Sequence, residues 1–199
     1  MRPAAPDAPV VLKIGGGLLG IPGALDAAAA AITELARHCR VIVVPGGGPF
    51  ADTVRRMDQD AGLSDDAAHW MAILAMDQYG HLLVERIDRA VLVEEPGGLA
   101  GVLAAGRAAV LAPYRWMRAA DVLPHTWDAT SDSVAAFVAG AVDARLLVLV
   151  KPADGDPAAL VDRTFENVMP AGLAWRVIGW ERLQELTAMC RPGAPLESR

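Results

Sequence analysis

Two short apolar runs, each ending in three glycines, restrict the folds open to this chain. The first run spans residues 10–14, with Lys13 inside it, and glycines 15–17 follow; the second spans residues 41–45, and glycines 46–48 follow. Both runs are rich in β-branched residues and bounded by turn-forming residues, as buried strands are. Because a helix-like segment follows each glycine triplet, the pattern predicts two successive strand–loop–helix units of a parallel sheet.

The glycine triplets would expose backbone N–H groups at one edge of that sheet. Exposed amides at a helix N-terminus form an anion site, and glycine lets a phosphate approach the backbone closely. Two such loops, with Lys13 beside the first, indicate that two phosphate-bearing groups are brought together. The alternative interpretation is that these glycines only form tight turns and let the helices pack on the strands.

The rest of the chain alternates between strand-like and helix-like segments. This alternation predicts an α/β fold, a three-layer αβα sandwich with a mainly parallel central sheet, in one domain over residues 1–199. We expect helices at residues 21–38, 49–61, 64–87, 99–105 and 131–141, and further strands at 90–93, 108–111 and 145–150. We also expect a turn at 113–116, a polar loop at 124–130, a final strand and helix within 161–189, and a frayed tail at 191–199.

Composition argues against several classes of protein. The net charge of −6 leaves no basic face for nucleic acid. The longest apolar window, residues 134–150, contains Asp143 and Arg145, so we expect no membrane span. We expect no signal peptide in the first residues, and two distant cysteines, Cys39 and Cys190, suit a reducing cytoplasm. Alanine-rich helices that carry tryptophans suggest a homo-oligomer.

A dinucleotide-binding fold is a further interpretation of the glycines, and it rests on their spacing alone. The spacing Gly15-x-Gly17-x-x-Gly20 matches its fingerprint, which also needs an acidic residue at the end of the second strand to hold a ribose. Here the second strand ends in Val44-Pro45, so that acid is missing. A P-loop is excluded because no Gly-Lys-Ser/Thr follows a glycine run.

Three charged residues stand where phosphoryl transfer would use them. That reaction depends on positioning and on charge neutralisation by amides and cations, with a carboxylate to orient a lysine or a metal ion. Lys13 lies in the first strand, Lys151 ends the strongest predicted strand, and Asp132 heads the predicted helix 131–141. Ligands gather at the carboxyl ends of such strands. Alternatively, Lys151 is a solvated loop charge and Asp132 caps its helix, a role that Ser131 could fill instead.

Four segments, in order, resemble the amino acid kinase family, which includes acetylglutamate, aspartate, uridylate and isopentenyl phosphate kinases. The segments are residues 12–16, 45–48, 130–136 and 151–155. The resemblance implies an ATP- and Mg²⁺-dependent kinase whose catalytic residues are Lys13, Asp132 and Lys151. It places the phosphates of ATP near Gly15, Gly16, Gly17, Asp154, Gly155 and Asp156, and the acceptor against Gly46, Gly47 and Gly48. It indicates no residues as metal ligands.

Two departures from the family pattern support another function. Gly17 stands where family members commonly carry serine or threonine, and the part after residue 155 is shorter than the usual nucleotide-binding half. The alternative is therefore a non-catalytic protein that binds a small ligand or oxyanion and has lost full ATP binding.

The length and residues 63–72 resemble a compact branch of the family that acts on aminomethylfuran phosphate in methanofuran-type cofactor biosynthesis for one-carbon metabolism. This resemblance implies a phosphate monoester as acceptor and a diphosphate as product. His69 would donate to the phosphate, Trp70 would form a wall for a flat ring, and Trp127 with Asp128 would suit an aromatic substrate with an ammonium group. Alternatively, Trp70 is a core or subunit-interface residue, and the loop around Trp127 is a turn with one buried tryptophan.

Overall fold

The computed structural model describes residues 8–190, whose strands form a six-stranded sheet. The strands are β1 (Val10–Ile14), β2 (Val41–Pro45), β3 (Val91–Val93), β4 (Ala109–Leu111), β5 (Leu146–Lys151) and β6 (Ala174–Gly179). Their order across the sheet is β3-β4-β2-β1-β5-β6, and every neighbouring pair is parallel. The predicted parallel sheet is confirmed, with both predicted glycine-flanked strands near its centre.

The helices surround this sheet. They are α1 (Ala24–Ala36), α2 (Gly48–Ala61), α3 (Asp65–Arg86), α4 (Leu99–Ala104), α5 (Tyr114–Ala120), α6 (Ser131–Ala141), α7 (Pro157–Leu160), α8 (Phe165–Val168) and α9 (Leu186–Met189). Short 3₁₀ segments lie at Gly16–Gly20, Pro96–Gly98 and Trp180–Glu185. Within residues 8–190, no helix is long and apolar enough to cross a membrane.

The strands are buried on both faces, which divides the apolar core into two parts. On one face, α1, α9 and the second half of α3 pack against the sheet. On the other face, α5, α6, α8 and the first half of α3 do so. Alternate residues of β1 and β5 point to opposite faces, as they must in a strand. The predicted three-layer αβα arrangement is therefore confirmed.

The long helix α3 crosses the carboxyl edge of the sheet. A Cβ at Gly80 would lie 2.6 Å from the Leu111 carbonyl oxygen at the end of β4, so glycine permits this close crossing. The Tyr79 hydroxyl donates to the Gly15 carbonyl at the end of β1 (3.4 Å), and burial raises the pKa of Tyr79 to about 12. The helix thereby closes one side of the edge at which the glycine loops lie.

The chain leaves β1 and β5, which are neighbours, toward opposite faces of the sheet. After β1 it forms α1 on one face, and after β5 it forms the short helix α7 and then α8, whose Phe165 is in the core of the other face. Such a switch point opens a crevice outside the carboxyl ends of the two strands. Lys13 and Lys151 are carried by these two strands.

Several predicted boundaries differ from the structure. The helix predicted at residues 21–38 begins at Ala24, because Gly23 adopts a left-handed φ of 78° that interrupts the chain after Pro22. Before it, Gly16–Gly20 is a 3₁₀ turn that the sequence pattern did not predict. The first strand and the helix ending before Gly62, which has φ 64°, agree with prediction.

The turn predicted at residues 113–116 is instead the helix α5. The backbone N–H of Tyr114 donates to Asp77 Oδ1 on α3 (3.0 Å), so a distant carboxylate satisfies the first turn of this helix. Burial raises the pKa of Asp77 to about 6. Residues 161–189 contain β6 as predicted, but several short helical segments replace the predicted single helix. The tail predicted to fray, 191–199, lies outside the described residues.

Candidate active site

Lys13 and Lys151 lie on the same face of adjacent strands. Lys13 is paired in register with Leu149, so Lys151 is two residues farther along β5 and its side chain points to the same side. That side is covered by α6, whose Val134 and Val138 pack in the same core. These two residues are the only lysines in the sequence, and both are buried, with 5% and 8% exposure.

Asp132 joins the two lysines. Its Oδ1 lies 3.0 Å from Lys13 Nζ, and its Oδ2 accepts a 2.6 Å hydrogen bond from Lys151 Nζ. Burial alone would raise the pKa of Asp132, but the positive charges of Lys13 and Lys151 outweigh it and hold the pKa below its usual value. Burial lowers the pKa of Lys151, and Lys13 lowers it further against the opposing effect of Asp132. The three predicted catalytic residues thus form one buried cluster with a net positive charge.

Asp132 does not cap its own helix. The cap of α6 is Thr130, whose Oγ1 accepts from the Asp132 N–H at 3.5 Å, rather than the predicted Ser131 or its neighbours. The Asp132 side chain is therefore free of the capping role and turns toward the lysines. The N-terminus of α6 also carries partial positive charge, which favours an anionic side chain there.

The two glycine loops touch each other. A Cβ at Gly16 would lie 2.1 Å from the backbone nitrogen of Gly48, and a Cβ at Gly46 would lie 2.6 Å from the nitrogen of Gly16. Gly46 N–H donates to the carbonyl of Ile14 (2.8 Å), which fixes the start of the second loop beside the first. Glycine is required here because the backbones themselves are in contact. Gly47 precedes α2, whose first N–H groups have no partner within the helix.

The first loop also packs against the segment that follows β5. Gly15 N–H donates to the Val150 carbonyl (2.9 Å). A Cβ at Gly17 would lie 2.7 Å from Cγ of Pro152, the residue after Lys151. Gly17 therefore stands where a side chain would collide with the Lys151–Pro152 turn, which gives a physical reason for its departure from serine or threonine.

The residues predicted to border ATP in the loop after β5 have local partners. Asp154 Oδ1 accepts from the Gly179 N–H at the end of β6 (2.7 Å) and lies 3.4 Å from Arg182. Asp156 caps α7 by accepting from the Ala158 N–H (3.3 Å). Gly155 lies in the loop between them. The two carboxylates hold the loop after Lys151 in place, and their role toward ATP stays a prediction.

A pocket opens between α3 and the loop 124–130, next to the start of α6. Its lining consists of Asp65, Ala68, His69, Ala72, Ile73, Met76, Leu123, His125, Thr126, Trp127, Ala129, Thr130, Ser131 and Val134. Most of these side chains are apolar or aromatic. Thr130 and Ser131, which line the pocket, directly precede Asp132 in the chain.

Two stacked imidazoles form one wall of this pocket. The rings of His69 and His125 lie 4.1 Å apart and nearly parallel. Burial, with the nearby charge of His125, lowers the pKa of His69 to about 4, so this ring is neutral near pH 7. The pKa of His125 is raised, mainly by its hydrogen bond to Asp66 and also by Asp121. Trp70 is not among the lining residues; it packs under Arg118, 4.4 Å from the ring.

Trp127 and Asp128 point in different directions. The Trp127 ring lines the pocket, lies under the guanidinium of Arg55 (4.5 Å), and its Nε1 donates to Asp58 Oδ2 on α2 (2.7 Å). Asp128 is not among the lining residues, and its Oδ1 accepts from Arg163 (3.3 Å). The structure thus brings His69 and Trp127 into one pocket but separates Asp128 from them.

Sequence analysis missed two contributors to this site. His125 stacks on His69. The two residues are 56 positions apart, so the sequence gives no sign that their rings are in contact. Asp162 accepts hydrogen bonds from Thr130 and Ser133 on either side of Asp132. It lies in an irregular segment after α7, and no spacing or periodicity distinguishes it in the sequence.

The donor groups at this edge of the sheet suit the oxygens of phosphate groups. Among the residues that the structure describes, no three histidine, cysteine or acidic side chains are grouped to hold one. Mg²⁺ commonly binds through substrate phosphates and few protein carboxylates. The donors present here, two lysines and the amides of two glycine loops, are those that suit phosphate oxygens.

Comparisons with known proteins agree with this geometry. Residues 8–155 match the amino acid kinase family. The [5-(aminomethyl)furan-3-yl]methyl phosphate kinase of Methanocaldococcus jannaschii is 28% identical over 116 residues, which are 58% of this chain and 53% of that protein. The matched region thus spans about half of that relative.

Solved structures share the fold. Aspartate kinase from Synechocystis matches with a TM-score of 0.64 and 16% identity, covering 96% of this chain and 41% of the other. Uridylate kinase from Archaeoglobus fulgidus matches with a TM-score of 0.55 and 22% identity, covering 74% of this chain and 65% of the other. At these identities the similarity shows a common architecture.

Proposed function

Because this chain belongs to the amino acid kinase family, we propose that it transfers a phosphoryl group from MgATP to the phosphate of a small phosphate monoester. The observation that carries the proposal is the buried Lys13–Asp132–Lys151 cluster beside the contact between two glycine loops. These groups lie at the switch point of a parallel sheet, where such folds bind their ligands. Two cations and two sets of amides suit two phosphate groups held close together.

Each of these side chains has its own role in the in-line transfer of the phosphoryl group. Lys13 neutralises charge on the moving phosphoryl group, and Lys151 provides a second cation on the donor side. Asp132 holds both ammonium groups in place, and it is a weak base because the lysines hold its pKa below the usual value. Amides of the loops around Gly16 and Gly48 hold the oxygens of donor and acceptor. Mg²⁺, when it arrives with ATP, neutralises charge on the donor phosphates.

The acceptor we propose is a phosphate on a flat, amine-bearing ring, as the name of the M. jannaschii relative suggests. The pocket beside Asp132 supports it: His69, His125 and Trp127 offer ring faces, and Asp65 at its rim offers a carboxylate to an ammonium group. An aminomethylfuran phosphate is the specific candidate. We also propose that residues 1–199 act as one catalytic unit, despite the short part that follows residue 155.

An acceptor screen with the purified chain tests this proposal. ADP release is measured with ATP, Mg²⁺ and a series of phosphate monoesters, among them aminomethylfuran phosphate, its unphosphorylated alcohol and a ring phosphate without the amine. We expect turnover with the phosphates and none with the alcohol, and a lower KM for the amine-bearing compound. Turnover of the alcohol, or failure of all phosphates, would contradict the proposal. Equal KM values would remove the assignment of Asp65.

Lys13→Ala is the matching test of the cluster. The variant should retain its fold but lose activity by about 10²–10³-fold, as expected when one preorganised group that stabilises transition-state charge is removed. Arg37→Ala is the control, because it removes an exposed cation whose ion pair is with Glu34, on the same helix α1. Unchanged kcat in Lys13→Ala would contradict the assigned role.

A further inference from the structure

Asp162 clamps the start of α6 from outside that helix. Its Oδ2 accepts from Thr130 N–H (2.9 Å), Thr130 Oγ1 (2.7 Å) and Ser133 N–H (3.0 Å). Its Oδ1 accepts from Ser133 Oγ (2.5 Å) and from Thr164 N–H (3.1 Å). Five donors on one carboxylate leave it little freedom to move. Thr130 and Ser133 stand on either side of Asp132, so the clamp fixes the turn that carries it.

Asp162 also contributes a negative charge close to the lysine cluster. Lys13, Lys151 and Asp132 together carry one net positive charge, and Asp162 adds a second negative charge at the N-terminus of α6. Its charge acts on Lys151 through space, where it raises the pKa against the effect of burial. A carboxylate placed only to cap a helix would need neither the Ser133 hydroxyl nor this influence on a buried lysine.

We propose that Asp162 is a positioning residue for phosphoryl transfer, which fixes Asp132 through Thr130 and Ser133 and adds a negative charge that acts on Lys151. The inference rests on the proposed function. Asp162 does not touch the reacting groups, and its effect passes through the residues that do. A displacement of about 1 Å at reacting groups costs about 10²-fold in rate, so loss of the clamp should lower kcat strongly.

The test compares Asp162→Asn with Asp143→Asn. Asp143 is an exposed aspartate after the other end of α6, with φ 49°, which asparagine tolerates, so the control removes the same charge at no structural cost. We expect kcat to fall by about 10²-fold in Asp162→Asn and to remain unchanged in Asp143→Asn. The alkaline limb of the kcat profile should move to lower pH in Asp162→Asn, because Lys151 loses its proton sooner.

Selective ¹³C labelling of lysine gives a direct readout, since the chain contains two lysines. The ¹³Cε signal of Lys151, assigned by its absence in Lys151→Arg, should titrate at lower pH in Asp162→Asn than in the wild type. The groups facing Lys151 are Lys13 on β1, Asp132 on α6 and Asp162, so these set its titration. Ser133→Ala should lower kcat without moving this titration, because it removes a hydrogen bond and no charge.

Two outcomes overturn the inference: a folded Asp162→Asn variant with wild-type kcat, or one whose Lys151 signal and pH profile are unchanged. If Asp162→Asn does not fold, Thr130→Val and Ser133→Ala each remove one of the two hydroxyl groups that donate to Asp162, and wild-type kcat in both variants overturns the inference. The titration needs no substrate. A wild-type chain without kinase activity overturns the proposed function, whereas an unchanged titration overturns this inference alone.

Discussion

Gly17 meets the ring of Pro152, so the first glycine loop and the turn after Lys151 fit together without a side chain between them. Gly17→Ala places a Cβ 2.7 Å from Pro152 Cγ, and one of the two segments must move. Overpacking of this kind costs about 1–3 kcal/mol, so we expect the KM for ATP to rise by about tenfold or more. Steady-state kinetics at saturating acceptor measure this change.

Gly20→Ala is the control for that substitution, because no atom lies within 4 Å of a Cβ at this position. The double variant Gly17→Ala/Pro152→Ala should recover much of the lost affinity for ATP, since the collision is removed. An unchanged KM in Gly17→Ala would mean that the turn yields freely. Recovery in the double variant would show that the loss in Gly17→Ala comes from this contact and not from lost glycine flexibility.

At the level of elements, the loop 124–130 is held over the pocket from two sides. Trp127 donates to Asp58 on α2, and His125 bonds to Asp66 on α3 and to Asp121 after α5. Because these contacts fix the loop and not the lysine cluster, their loss should weaken acceptor binding and spare the chemical step. We therefore expect the contacts of this loop to affect the affinity for the acceptor separately from the rate of the chemical step.

Asp58→Ala tests this separation. One hydrogen bond contributes about 0.5–1.5 kcal/mol, so we expect the KM for the acceptor to rise by up to about tenfold, with kcat within about twofold of the wild type. Asp60→Ala removes an exposed carboxylate two residues farther along the same helix and should change neither constant. A fall in kcat with constant KM in Asp58→Ala would show that the loop takes part in the chemical step.

The sequence predicted elements wherever the signal was local. The apolar runs that form β1 and β2 and the glycines after them needed no distant partner to be recognised. Helix α5 was missed because its first turn is completed by Asp77 from α3. In the site, strand direction was enough to predict that Lys13 and Lys151 lie at the same edge of the sheet. The role of Asp162 and the pairing of Asp128 with Arg163 depend on tertiary contacts, which the spacing of residues in the sequence does not reveal.

At the scale of the whole molecule, the buried charged cluster affects the stability of the fold as well as activity. Burying charges costs free energy unless each is compensated, and removal of one partner typically costs about 3–5 kcal/mol when it leaves an uncompensated charge. In this cluster one carboxylate compensates two ammonium groups. The three charges therefore do not contribute equally to the stability of the fold.

Asp132→Asn removes the carboxylate that pairs with both buried lysines, so we expect the free energy of unfolding to fall by about 3–5 kcal/mol. Lys13→Met leaves Asp132 paired with Lys151 and removes the excess positive charge, so stability should stay constant or rise while turnover is lost. Urea denaturation of both variants measures the difference. MgATP should raise the melting temperature of the wild type more than that of Lys13→Met, because a ligand stabilises the native state more when it binds more tightly. A destabilised Lys13→Met variant would show instead that Lys13 holds the fold together, and its loss of turnover could then no longer be assigned to the phosphoryl group.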